Sequence, residues 1–139
     1  MRTFYIFKID NEYYNLTKSM PYNLYKTLLN IKIGTKDNIK YLKHEYNTLV
    51  NRYNRNELNS FIYGKMKELD GYNKFNNTHV FNSYYTNESS KLTVYNSYMV
   101  LKSNREVPHF LDFLEDIPNL FFIDFEKGDY FYLSNLIKI

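Results

Sequence analysis

Three histidines, His44, His79 and His109, carry the side chains best suited to acid–base chemistry near neutral pH or to holding a metal ion. They fall in three different predicted elements, and none lies at close spacing to another histidine or to a carboxylate pair. A catalytic or metal site needs its side chains to converge in space. The histidine spacing therefore gives no support for such a site.

Carboxylates are concentrated towards the end of the chain, where general acid–base chemistry is conceivable. Glu115 and Asp116 close a predicted helix, and Asp124, Glu126 and Asp129 surround a predicted turn. Carboxylates at surface turns are common, so this grouping alone does not indicate a catalytic pair.

Composition excludes several other chemistries. The chain has no cysteine and only four glycines, so it holds no thiol nucleophile, disulfide, cysteine metal site or glycine-rich phosphate loop. No serine lies in a nucleophile-elbow context. We therefore expect a protein that is not an enzyme, with no catalytic residues, no cofactor and no metal.

The net charge of +3 is unevenly distributed. Residues 1–67 carry 12 Lys and Arg against 5 Asp and Glu, whereas residues 68–139 carry 6 against 10. The basic half includes Lys26, Lys32, Lys36, Lys40 and Lys43. These lysines indicate either the solvated faces of helices or a surface for an acidic partner or nucleic acid.

Hydropathy gives no sign of a membrane protein. The longest apolar runs, such as 120–123, are too short to cross a bilayer, and the N-terminal "MRTFYIFKID" lacks the features of a signal peptide. We expect one domain of 139 residues, with no membrane-spanning segment and a cytoplasmic location.

The first half of the chain predicts one strand followed by four helices. "TFYIFKI" (3–9) has strand composition, and Asp10 or Asn11 caps a short helix over 11–17, with Tyr13 and Thr17 on one side and Tyr14 on the flank. The next three helices are predicted over 21–30, with Ser19 as N-cap, over 36–52, and from residue 55, with Asn54 and Glu57 in capping-box spacing.

The second half changes to a period of two. Strands are predicted over 78–86 and 91–102, a helix over 106–117, and a final hairpin that turns at Gly128. The order of elements predicts an α+β fold: a single domain over 1–139 with a mainly antiparallel sheet of about five strands and about five helices.

Several of these segments resemble the sporulation inhibitor of replication family, SirA, of low-GC Gram-positive bacteria. The matching segments are "FYIFKIDNEYYN", "LYKTLL" and the C-terminal "IPNLFFIDFEKGDYFYLSNLI". The resemblance covers most of the chain, and its two ends carry the specific matches.

The resemblance implies a non-enzymatic α/β protein that binds the N-terminal domain of the replication initiator DnaA and inhibits initiation. In that family two aromatic residues one turn apart on the first helix contact the initiator, with a polar residue on a nearby helix. These positions fall on Tyr13, Thr17 and Asn47. Thr17 departs from the aromatic pattern, and Tyr14 is the neighbour that could substitute for the missing ring.

Each of these residues also has a purely structural interpretation. Tyr13 could pack on the sheet beside Leu16, and Asn47 could be an exposed helix residue with no partner. The alternative function is a small nucleic-acid-binding protein that uses the lysines from Lys26 to Lys43.

Overall fold

The structure is a computed structural model that describes residues 1–34 and 38–136. Its strands are β1 (Arg2–Ile9), β2 (Val50–Asn51), β3 (Tyr72–Phe75), β4 (Thr78–Ser83), β5 (Glu88–Val94), β6 (Met99–Ser103), β7 (Leu120–Asp124) and β8 (Asp129–Tyr132). Its helices are α1 (Asn11–Thr17), α2 (Tyr22–Lys32), α3 (Ile39–Leu49), α4 (Arg55–Met66), α5 (Leu111–Leu114) and α6 (Leu133–Leu136).

The strands form one antiparallel sheet in the order β3-β4-β5-β6-β1-β7-β8, and β2 pairs with β1. The predicted class, a single domain of helices with an antiparallel sheet, is confirmed. The predicted number of elements is wrong, because the described residues contain eight strands and six helices.

β1 places side chains on both faces of the sheet because successive strand residues point to opposite sides. Phe4 and Ile6 belong to a core on the face covered by α4 and α5. Phe7 and Ile9 belong to a second core, on the face covered by α2 and by the end of α3. The sheet therefore carries helices on both faces.

Two segments of the second half differ from the prediction. Residues 91–102 form two strands rather than one, because the chain turns at Tyr95–Tyr98, where the Tyr95 N–H donates to the Tyr98 carbonyl at 2.9 Å. Asn96 and Ser97, common turn residues, mark this turn. The helix predicted over 106–117 is confined to Leu111–Leu114. The residues just before it form a turn, in which the Leu111 N–H donates to the Pro108 carbonyl at 3.1 Å.

The helix starts were predicted with mixed success. Asn54 accepts from the Glu57 N–H at 3.1 Å and Asp10 accepts from the Glu12 N–H at 3.3 Å, as predicted. Ser19 is not the N-cap of α2, because Pro21 occupies that position. The helix predicted over 36–52 spans Ile39–Leu49, and positions 36 and 37 lie outside the described residues.

The predicted final hairpin is confirmed. β7 and β8 pair in an antiparallel register, and Gly128 between them has a φ of 73°. That left-handed conformation favours glycine, which has no Cβ to clash with the backbone.

Candidate functional site

Helix α1 is held on the surface of the molecule. It spans seven residues, its N-terminus is capped by Asp10, and none of its side chains is buried. An isolated helix of this length is unstable in water, so contacts with the rest of the protein must hold it. Tyr13, Tyr14 and Thr17, which are half-buried, provide such contacts, and they leave much of the helix facing solvent.

Tyr13 lies in the wall of a groove of about 450 Å³ between the first three helices, which we call the α1–α3 groove. The floor is apolar, because Leu24 of α2 and Leu49 of α3 are buried. The described residues that line it are Tyr13, Thr17, Asn23, Leu24, Thr27, Tyr41, His44, Glu45, Thr48 and Leu49.

Three threonines of the groove use their hydroxyl protons within their own helices. Thr17, Thr27 and Thr48 each donate to the carbonyl four residues earlier, at 2.6, 2.9 and 2.9 Å. Each hydroxyl carries a single proton. These side chains therefore have no proton to donate to a partner, although their oxygens can still accept one.

Thr17 also contacts a buried phenol. Its Oγ1 lies 2.7 Å from the hydroxyl of Tyr132, a residue with no exposed surface at the end of β8. Because the Thr17 proton goes to the Tyr13 carbonyl, the Tyr132 hydroxyl must be the donor. Burial raises the pKa of Tyr132 to about 12, so this donor keeps its proton at neutral pH.

Tyr14 points towards a different part of the protein. Its ring packs edge-to-face on Tyr132, with centroids 4.9 Å apart and an interplanar angle of 87°. Its hydroxyl lies 3.3 Å from Oγ of Ser134 in α6, and the residue is not part of the groove lining. Tyr14 thus joins α1 to the C-terminal hairpin, whereas Tyr13 packs partly against the second core and borders the groove.

The structure brings Tyr13 and Thr17 together in the wall of the groove. Asn47 is not one of the described residues that line the groove. Asn47 is exposed on α3, between the groove residues Glu45 and Thr48. A ligand seated in the groove would have to extend over the edge of α3 to reach it.

The wall of the groove that α3 provides was not predicted from the sequence. Tyr41, His44, Glu45 and Thr48 line it, and Tyr41 is 67% exposed. Their spacing of three, one and three residues is that of one helix face. This spacing was visible in the sequence, but the helix was interpreted only through its apolar face, which carries the buried residues Leu42 and Leu49.

Exposed apolar side chains extend the surface around Tyr13. Leu16, three residues after Tyr13, is 72% exposed, and Met20, three residues after Thr17, is 76% exposed. Single exposed apolar residues are ordinary, but a group around a groove is typical of surfaces that contact another protein.

The histidines do not converge. His44 borders the groove, whereas buried His79 binds the Tyr72 hydroxyl through Nδ1 and Asn59 through Nε2, each at 2.8 Å. His109 faces Asp112 across 3.8 Å. Within residues 1–34 and 38–136, no group of three metal-ligating side chains comes together.

Two carboxylates of the last turn, those of Asp124 and Asp129, form ion pairs with Arg2. Arg2 Nε lies 3.1 Å from Asp124 and its Nη2 lies 2.5 Å from Asp129. Burial opposes ionisation of Asp124, but the bonds from the Lys127 N–H and from Arg2 outweigh it and lower the pKa. Asp124 is thereby held ionised as part of the fold.

The lysines of the basic half are divided between surfaces. Lys32 and Lys43 line a second cavity, which lies between the sheet and the helices α2 and α3, whereas Lys26 Nζ lies 6.0 Å from the Tyr22 ring centroid. Lys40 is exposed and lines neither cavity, and Lys36 lies outside the described residues.

No protein-family model matches this chain, and a search of curated proteins finds no significant match. In the part of the chain that the structure describes, no helix has both the length and the apolar character required to cross a bilayer.

Proposed function

We propose that this protein is a non-enzymatic regulator, resembling SirA, that binds the N-terminal domain of the replication initiator DnaA and inhibits initiation of replication in the cytoplasm. The contact surface is the α1–α3 groove with the outer side of α1. The residues that contact the initiator are Tyr13, Thr17 and Asn47.

The observation that carries this proposal is the exposure of α1. α1 has no fully buried side chain, and Tyr13, which packs with part of its ring against the second core, also opens onto a groove with a leucine floor. Tyrosine suits such a position because its ring provides contact area and its hydroxyl a hydrogen bond. Tyrosines near the centre of an interface often dominate the binding energy.

Thr17 and Tyr14 take different parts in this proposal. Thr17 contributes a small contact, because its hydroxyl is bonded to Tyr13 and Tyr132. Tyr14 does not replace the missing ring, because it packs on Tyr132. Of the three contact residues, Tyr13 therefore contributes most of the apolar contact, and the exposed side chains of Leu16 and Tyr41 extend it.

Isothermal titration calorimetry of the purified chain with the DnaA N-terminal domain tests the proposal. We expect a one-to-one complex with a dissociation constant below about 100 μM. The absence of heat at high micromolar concentrations of both proteins would contradict it.

The nucleic-acid alternative makes a different prediction for the same sample. Binding of labelled DNA or RNA through Lys26 to Lys43 would weaken steeply as salt is raised, because neutralised phosphates release counterions. Salt-sensitive DNA binding without DnaA binding would replace the proposed function by this alternative.

A further inference from the structure

A second cavity, also of about 450 Å³, lies between the sheet and the helices α2 and α3, and we call it the aromatic cavity. Its volume falls within the range of pockets that hold small organic ligands. Most of its wall is apolar and includes Tyr5, Phe7, Leu28, Leu42, Tyr98 and Phe125.

The aromatic cavity is distinct from the α1–α3 groove. α3 contributes Leu42 and Tyr46 to the cavity, and Tyr41 and Glu45 to the groove. The two linings share none of the residues that the structure describes. A ligand of the cavity therefore occupies a different site from the proposed protein partner.

The charge of the described cavity lining is entirely positive. Lys32 and Lys43 belong to it, and none of the described lining residues is an aspartate or glutamate. Lys32 Nζ lies 4.4 Å from the ring centroid of Phe125 and 5.3 Å from that of Tyr5. Ring faces attract this ammonium group, and among the described ion pairs it has no carboxylate partner.

Hydroxyl groups add a polar feature to the same wall. The Tyr46 hydroxyl donates to Ser97, whose Oγ lies at 2.9 Å and whose carbonyl oxygen lies at 3.2 Å. Burial raises the pKa of Tyr46, so the phenol keeps its proton at neutral pH. Since Ser97 Oγ accepts this bond, its own proton can be donated to an oxygen of a ligand.

We propose that the aromatic cavity binds a small amphipathic organic anion, a carboxylate or sulfonate on an aromatic or aliphatic body. The body packs against Phe7, Leu28 and the rings beside them. The anionic group pairs with Lys32 and Lys43 at the cavity wall, where the ammonium groups complement its charge.

Two fluorescent probes of nearly the same shape separate charge recognition from apolar contact. One is 1-anilinonaphthalene-8-sulfonate and the other is N-phenyl-1-naphthylamine, which lacks the sulfonate. We expect one equivalent of the sulfonate probe to bind, at least tenfold more tightly than the neutral probe. Decanoate should displace it. Equal affinity for the two probes would overturn the proposal.

Variants locate the site. Lys32→Met should weaken the sulfonate probe about tenfold and leave the neutral probe unchanged, whereas Lys40→Met, on an exposed lysine outside the cavity, should alter neither. Ile39→Trp, at a cavity residue that is 53% exposed, should weaken both probes by filling the entrance. An unchanged sulfonate affinity in Lys32→Met would overturn the assignment.

Lys43→Met provides an independent test if Lys32→Met does not fold, and near-UV circular dichroism checks the folding of each variant. Nuclear Overhauser effects from the sulfonate probe to the rings of Tyr98 and Phe125 are expected. Contacts from the probe to other surfaces, or loss of native near-UV signal on binding, would show non-specific association and overturn the proposal.

Discussion

The hydroxyl of Tyr132 lies 2.7 Å from Oγ1 of Thr17 and joins the last residue of α1 to a fully buried strand residue 115 positions later in the chain. Thr17 occupies a position where the resemblance implied an aromatic ring, and the structure gives it a role of its own. It accepts a hydrogen bond from a phenol that has no exposed surface, and an unpaired buried hydroxyl would cost about 1–3 kcal/mol.

Thr17→Val should therefore lower the free energy of unfolding by about 1–2 kcal/mol, because it removes the acceptor for Tyr132. Thr27→Val is the matched control, since Thr27 makes the same bond to its own helix, at 2.9 Å, without a buried phenol. Urea denaturation measures both. In a Tyr132→Phe background, the loss of the free energy of unfolding caused by Thr17→Val should decrease towards the loss caused by Thr27→Val. Equal losses for Thr17→Val and Thr27→Val would contradict the role of the pair.

Tyr14 is expected to stabilise the fold rather than bind a partner. Tyr14→Ala removes the edge-to-face contact with Tyr132 and should destabilise the protein by about 1–3 kcal/mol. Tyr14→Phe keeps the ring and should leave both the thermal midpoint and the DnaA affinity close to those of the unmodified chain. A Tyr14→Phe variant that folds normally but loses DnaA binding would assign this hydroxyl to the interface.

Stability should fall between neutral and mildly acidic pH because of His79. Burial, followed by the charge of Lys74, lowers the pKa of His79 to about 4, from an ordinary value near 6.5. Below pH 6.5 the unfolded chain binds a proton that the folded chain excludes, so this contribution is present above pH 6.5 and is lost as the pH falls to about 4.

Urea denaturation at pH 7 and pH 4.5 measures this effect. Between pH 7 and pH 4.5, the free energy of unfolding of His79→Gln should fall by about 2 kcal/mol less than that of the unmodified chain. The control His44→Gln, at an exposed residue, should lose as much as the unmodified chain. If His79→Gln shows the same pH dependence as His44→Gln, the acid sensitivity has another source.

Asn47 should contribute to binding without contributing to stability. Asn47→Ala is expected to weaken DnaA binding about three- to tenfold, since the side chain is exposed and lies beside the groove residue Thr48. Asn30→Ala is the control, an exposed asparagine of α2 outside the groove. Calorimetry and thermal unfolding distinguish the two properties, and equal affinities for both variants would remove Asn47 from the proposed site.

Local patterns predicted the elements whose signals lie within a few residues. The caps at Asp10 and Asn54 and the turn at Gly128 are set by short-range hydrogen bonds and backbone conformation, and all three are found. The strand break at Asn96 was missed because apolar alternation continues on both sides of the turn. β2 was missed because its two residues are extended only by pairing with Lys8 and Ile9.

The candidate site was predicted in part for the same reason. Helical spacing alone places Tyr13 and Thr17 on one side of α1. The opposite wall depends on how α3 packs, and the bond between Thr17 and Tyr132 joins distant parts of the chain, so neither has a local signal. The tertiary structure also gives Tyr14 and Tyr13 different surroundings, because Tyr14 packs on Tyr132 and Tyr13 lines the groove. Their adjacent positions in the sequence do not predict this difference.

The most direct test compares the affinity of Tyr13→Ala and Tyr84→Ala for the DnaA N-terminal domain by calorimetry, with thermal unfolding of each. Tyr84 is fully exposed in the turn between β4 and β5, so its variant makes the same chemical change away from α1. We predict that Tyr13→Ala weakens binding at least tenfold with only a modest loss of thermal stability, because part of this ring packs on the core, and that Tyr84→Ala binds normally. Equal affinities, or a large stability loss in Tyr13→Ala with no loss of affinity in the folded fraction, would contradict the proposed function.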